Sequence, residues 1–305
     1  MAEIGSDAGL TREDSALMGA SKLFTYLWNE AWAQAGATQA GDADALHDMR
    51  VALRRLRTGL QNFEGGKKIP LLSSSLRREL KDWQDKIGKL GDYLGGVRDF
   101  DVLAEYVNDF DKENTPGLEE FEAILKGERE HNFADMTRKI ERVGKEGGLR
   151  ERFARWSLGL PGAFSASQTS LEDTAKTILS ARLEEAISLG DLLEGDEEEA
   201  HHDLRKSLRR VRYTLEMLAP CFNKSVKKQV KQLVEMQDLL GEMQDRTVLD
   251  EWLDHSFKHA PDDVEAFAKH GHKRHDELLA EVRTLWKKRE SEGLWIGLKK
   301  LAPSE

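Results

Sequence analysis

The sequence holds one cysteine, Cys221, in 305 residues. An intrachain disulfide framework and a multi-cysteine zinc site are therefore excluded, and a reducing, cytoplasmic compartment is the expected address. No run approaches eighteen apolar residues, so no membrane-spanning segment is expected. The opening, MAEIGSDAGLTRED, is acidic and lacks the basic and apolar regions of a secretory signal. Also missing are a GxxxxGK[ST] phosphate loop, a GxGxxG turn, a GxSxG nucleophile elbow and clustered acidic metal ligands. An enzyme is hard to build from such a chain, and neither catalytic residues nor a cofactor or metal is expected. Prolines are few, six in all, and five of them fall between long segments rich in Leu, Glu, Lys, Arg and Ala. They read as punctuation between helices.

Charge, by contrast, is abundant. Charged residues make up 33% of the chain, and 46 Lys and Arg against 56 Asp and Glu give a net charge of -10. That balance argues against a dedicated nucleic-acid binder. Its distribution is uneven: residues 47–57 carry a net +3 and residues 202–212 a net +4, leaving -17 on the remainder. An acidic body thus holds two short basic stripes.

Apolar residues follow a helical period, as in Leu53, Leu56, Leu60, Phe63 and in Leu208, Val211, Leu215, Leu218, with no competing strand alternation. The pattern predicts an all-α chain with eight long helices near 11–35, 42–64, 71–108, 117–144, 171–189, 196–219, 224–255 and 262–290. A tail at 1–10 would precede a first four-helix half at 11–147. A connector at 148–170, with a short helix around Phe153 and Trp156, would lead to a second half at 171–293 and a tail at 294–305. Asp196 with Glu199 reads as a capping box opening the second stripe helix.

The halves repeat each other. His47, Asp48, Arg50, Leu53, Arg54, Arg55 and Arg57 match His202, Asp203, Arg205, Leu208, Arg209, Arg210 and Arg212 at a constant offset of 155. Leu94, Gly95, Asp99, Val102 and Leu103 match Leu240, Gly241, Asp245, Val248 and Leu249 at an offset of 146. At the helical period, His47, Arg50, Arg54 and Arg57 share an arc of about 80°, beside the apolar arc of Met49, Leu53, Leu56, Leu60 and Phe63. Lys206 extends the second stripe, while Arg55 and Arg210 point away from its centre.

Neighbouring like charges repel unless something compensates them. Acids from adjacent helices would do so, but two related stripes beside apolar faces also suit a shared groove, where guanidinium groups could grip phosphate oxygens in pairs. His47 and His202 open the stripes, either facing an anion or bonding as half-buried histidines. HDMR and HHDLR lack a zinc-ligand spacing. Gly95 and Gly241 read as places of close backbone approach late in a helix, and Asp99 and Asp245 as partners that orient the cations. The lysines of the third helices, Lys86 and Lys89, Lys228 and Lys231, are weaker contacts.

Two HxxRxxxRRxR segments, each followed by LG(x)3D(x)2V, in a duplicated helical chain resemble the CHAD (conserved histidine α-helical) domain family, from about Thr11 to Gly293. The resemblance implies two four-helix bundles related by a pseudo-twofold axis, with a basic surface or pore between them that binds inorganic polyphosphate. It carries that role onto His47, Arg50, Arg54, Arg55 and Arg57 and onto His202, Arg205, Arg209, Arg210 and Arg212. Arg98 is matched by Gln244, so a contact there would be one-sided. Family members are often fused to a triphosphate-tunnel enzyme domain. No residues remain here for one, so a stand-alone binding module, associated with polyphosphate granules, is expected. A nucleic-acid-binding helical protein is the first alternative, disfavoured because no aromatics interleave with the stripes to stack bases. A phosphate-ester or anhydride enzyme and a salt-bridged scaffold are the others.

Overall fold

Ser15, Asp42 and Ser170 each convert an extended residue into a helix start. Ser15 Oγ accepts from the Met18 N–H at 3.3 Å, Asp42 Oδ1 from Asp44 and Ala45 at 3.0 and 2.9 Å, and Ser170 Oγ from Asp173 at 3.0 Å. These bonds satisfy donors that the first helical turn leaves open. The computed structural model describes residues 4–65, 73–113, 118–163, 169–195, 198–222, 225–256 and 262–302. They form α1 (Ile4–Asp7), α2 (Ala16–Ala33), α3 (Ala35–Gln39), α4 (Ala43–Glu64), α5 (Ser74–Glu113), α6 (Glu119–Gly144) and α7 (Leu149–Ala163). After these come α8 (Leu171–Gly190), α9 (Glu198–Met217), α10 (Lys227–Ser256), α11 (Asp262–Ser291) and α12 (Leu294–Lys299). Among the described residues there is no strand, only an isolated bridge between Ser15 and Ser170. The fold is all-α.

Helices α4 and α9 pack against each other at the centre. Helices α2 and α5 flank α4, α8 and α10 flank α9, and α6 and α11 lie outside α5 and α10. The eight expected helices are present with shifted ends, and the segment expected as 11–35 begins at Ala16 and is followed by the separate α3. Pro220 sits in a 3-10 turn closing α9. Pro70, Pro116, Pro261 and Asp196 lie outside the described residues.

The described parts of the expected tails and connector pack into the body. Ile4 in α1 is buried, and α12 buries Leu294, Trp295 and Leu298. The connector forms α7, in which Pro161 lies within the last turn, where one missing N–H does not break the helix. Large aromatics explain both additions. Phe153 of α7 is completely buried, 4.7 Å from Trp28, 5.1 Å from Trp83 and 5.5 Å from Trp156 between ring centroids. Trp295 of α12 lies 4.6 Å from Trp286, whose ring fits only because position 190 is glycine: a Cβ there would come within 1.9 Å of it. Helix α7 seats on α2 and α6, and α12 on α8 and α11.

The main apolar core takes Leu23, Phe24, Leu53 and Leu56 from the first half together with Ile178, Leu208, Val211 and Leu233 from the second. A second cluster joins Phe100, Val107 and Phe121 to Leu249 and Phe267. Both clusters therefore draw on both halves.

Candidate functional site

Burying Met49, Leu53, Leu56 and Leu60 fixes how α4 is rotated, and Leu204, Leu208, Val211 and Leu215 do the same for α9. With the apolar arcs turned inward, the arginine arcs fall on the seam between the two helices and meet there. A cleft of about 490 Å³ is lined by Arg50, Arg54 and Arg57 of α4 and by Arg205, Lys206, Arg209 and Arg210 of α9, with Gly88 and Gly91 of α5. A second cleft of about 380 Å³ is lined by Arg54, Arg205, Arg209 and Arg212, with Tyr106, Tyr213 and the acids Asp238, Glu242 and Asp245. Arg54, Arg205 and Arg209 line both, so the two clefts share one cationic wall.

The stripe residues divide by pairing. Arg55 Nη2 meets Glu216 at 3.3 Å, and Arg212 Nε meets the other oxygen of the same carboxylate at 3.6 Å. Arg210 pairs with Glu185 at 2.9 Å and Lys206 with Asp203 at 3.1 Å. Acid compensation thus accounts for part of the charge, including Arg55 and Arg210. Arg54, Arg57, Arg205 and Arg209 have neither an ion pair nor a side-chain hydrogen bond among the described residues. Desolvation, with Arg54 and Arg205 close by, depresses the Arg209 guanidinium to about 9. Desolvation also lowers Arg50 and Arg205. Arg54, Arg205 and Arg209 give the wall half-buried, unpaired positive charge, and Arg57 adds an exposed one.

Asp99 accepts from Arg50 Nη2 at 3.1 Å, as an orienting partner should. Asp245 lies in the field of Arg205 and lines both clefts. Desolvation pushes both carboxyls above their usual range, against the pull of the arginines, and Asp99 adds to the effect at Asp245. The glycine expectation needs correction. Gly95 and Gly241 lie mid-helix, and guanidinium groups rather than backbones fill the space beside them. A Cβ at Gly95 would lie 3.5 Å from Arg50 Nη2, and one at Gly241 3.9 Å from Arg205 Nη2. Gly88, which the repeat did not single out, gives the same room to Arg57, whose Cζ would be 3.2 Å from a Cβ there.

The histidines sit apart from the wall. His47 is exposed and lines neither cleft. His202 Nδ1 bonds Gln244 Oε1 and lines a separate recess with Glu198, Glu199, Glu251 and His275. Both are lowered from the ordinary imidazole value, desolvation first, with Arg98 and Arg54 adding to it at His47 and Lys206 and Arg205 at His202. The weaker lysines are also outside. Lys86 pairs with Asp82 over the Trp83 ring, and Lys89, Lys228 and Lys231 are exposed away from both clefts. Arg98 bonds Glu105 at 3.1 Å. Two aromatic residues of the second cleft escaped the sequence reading. Tyr106 lies beneath Arg246, 4.1 Å from guanidinium carbon to ring centroid, and Tyr213 is completely buried. Its place directly after Arg212 on a cationic helix was the available signal.

The family model described as the CHAD domain matches residues 24–254, more than half of the chain. The chain belongs to the CHAD domain family. Its fold is similar to the crystal structure of the CHAD domain from the plant Ricinus communis, with a TM-score of 0.70, 22% identity and 93% of each chain covered. It is also similar to PptA from Streptomyces chartreusis, with a TM-score of 0.63, 14% identity and coverage of 91% of this chain and 100% of that one. The comparison with curated protein sequences gave no match. Within this CHAD fold, no described helix is long and apolar enough to cross a membrane.

Proposed function

We propose that this CHAD protein binds inorganic polyphosphate without turning it over, gripping the chain on the arginine wall that α4 and α9 share. One observation carries the reading: Arg54, Arg57, Arg205 and Arg209 converge from two helices, and none of them forms an ion pair with an acid among the described residues. Folding keeps this repulsion, and a polymer of closely spaced anionic oxygens relieves it through charge-assisted, paired contacts that suit the guanidinium fork. The non-catalytic part of the reading rests on the sequence, which supplies no nucleophile elbow or phosphate loop.

The contacts between α4 and α9 support a pseudo-twofold groove. Asn62 Nδ2 donates to Thr214 Oγ1 at 2.9 Å, and Gly59 lies against Met217. At the repeat offset Gly59 corresponds to Thr214 and Asn62 to Met217, so the two contacts exchange partners. A long nucleic acid fits less well: the body is acidic, and Tyr213, buried beside the wall, offers no face for a base to stack on. The reading would place the protein in the cytoplasm, at polyphosphate granules.

Calorimetric titration at one physiological salt concentration with long-chain polyphosphate, orthophosphate, ATP, single-stranded RNA and duplex DNA tests it. Polyphosphate is expected to bind far more tightly than the rest. Equal affinities across the series would overturn the assignment.

A further inference from the structure

Tyr213 stands on α9 at the back of the second cleft, fully buried, and its hydroxyl has no hydrogen-bond partner among the described residues. Such a group ordinarily finds a partner when buried. What surrounds it is cationic. The Arg212 and Arg55 guanidinium carbons lie 4.9 and 5.5 Å from its ring centroid, and Glu216 ties those two arginines together. Arg54 and Arg209 of the unpaired wall act on the same phenol. The cleft is also lined by Asp238, Glu242 and Asp245 of α10 and Tyr106 of α5, together with Arg205 of the same helix α9.

The geometry points to Tyr213 as the first counter-charge that the arginine wall draws out: as pH rises, its Oη gives its proton to solvent ahead of the chain's other tyrosines while the cleft is empty, and keeps that proton to higher pH when a polyanion fills the cleft. The inference rests on the polyphosphate reading for its second half only. An anion inside the cleft supplies the charge that the phenolate provided, and two anions side by side repel, so the O–H bond re-forms with a proton from solvent. The other affected tyrosines contrast with this. Burial raises Tyr26, and it pushes Tyr106 to about 12. At Tyr213 burial acts in the same direction, but Arg54, Arg212, Arg209 and Arg55 outweigh it and lower the phenol below its ordinary range.

The test is a pH titration of the full chain followed by phenolate absorbance near 295 nm. The chain has four tyrosines. One of them is expected to ionise ahead of the rest, in a step that is absent from Tyr213→Phe. Saturating polyphosphate should move that step upward by roughly one pH unit or more. In Arg54→Ala the step should move upward without any ligand. A leading step that survives in Tyr213→Phe, or that Arg54→Ala leaves in place, overturns the assignment. A leading step that behaves as expected in both variants while polyphosphate neither binds nor moves it overturns the functional reading and the re-protonation, and leaves Tyr213 as the counter-charge of the empty wall.

Discussion

Ser15 and Ser170, the residues that cap α2 and α8, face each other across an antiparallel bridge. The Ala16 N–H donates to the Thr169 carbonyl at 3.0 Å and the Leu171 N–H to the Asp14 carbonyl at 2.8 Å. The two serines are 155 positions apart, the offset that relates the His/Arg segments. Residues at equal places in the repeat thus meet one another. Ser15→Ala and Ser170→Ala are each expected to lower stability by about 1 kcal/mol through loss of the cap, measured by urea unfolding. Polyphosphate affinity should not change.

Arg209 and Arg55 should separate binding from stability. Arg209 is charged at neutral pH although the fold depresses it to about 9, so its charge works against folding. Arg209→Met is expected to raise the melting temperature while weakening polyphosphate binding. Arg55→Met removes a partner from the buried Glu216 and should lower stability by about 1–3 kcal/mol with little loss of affinity. Parallel thermal melts and titrations check both. If the two variants moved affinity equally, pairing would not distinguish ligand contacts from structural ones.

Four unpaired arginines set the expected response to salt. Affinity should fall steeply as salt rises, because each neutralised anionic oxygen releases a counterion. Arg54→Ala with Arg209→Ala should cut affinity by at least ~100-fold, taking about 1.5–3 kcal/mol for each charge-assisted contact, with helical circular dichroism intact. The log–log salt slope should shrink by about two. An unchanged slope would mean that these side chains do not meet the ligand.

On the proposed function, Asp245 competes with the bound anion. Its folded carboxyl is raised above its unfolded value, so stability gained by protonating it is present at low pH and lost as pH rises through the folded value. Above that value it stands charged in both clefts. Asp245→Asn is expected to tighten polyphosphate binding roughly three- to tenfold at neutral pH by removing this like charge. Weaker binding would make Asp245 chiefly a support for Arg205.

His47 and His202 should report on stability rather than on ligand. Both are lowered in the fold, so the unfolded chain binds protons first. Stability is therefore expected to decline as pH falls from about 7 through the unfolded value near 6.5. His47→Gln with His202→Gln should flatten that decline, as followed by chemical unfolding at several pH values. A decline of unchanged steepness would assign it to other groups.

The helices were legible because each long one buries a regular apolar arc, as Leu53, Leu56 and Leu60 do, and the repeat made the paired stripes visible. Helix α12 was not: GLWIGLKK is short, carries two glycines and needs Trp286 and Gly190 to explain why it stays. The division within the stripes was hidden as well. Angle alone cannot say that Arg212 finds Glu216 while Arg209 finds nothing, because the deciding acid depends on tertiary packing. The same limit applies to the histidines, since a shared helical arc does not say that His47 and His202 line neither cleft.

The second apolar cluster, where Phe100, Val107 and Phe121 meet Leu249 and Phe267, works as a clamp at a distance. With the main core, it ties the two halves together twice, so the halves cannot swing apart about a single hinge. The arginine wall is consequently held loaded, its charges pressed together by side chains that never touch an anion. Loosening that remote cluster would let the charges drift apart and leave less mutual repulsion for a ligand to relieve, so on the proposed function anion affinity would depend on residues outside either cleft.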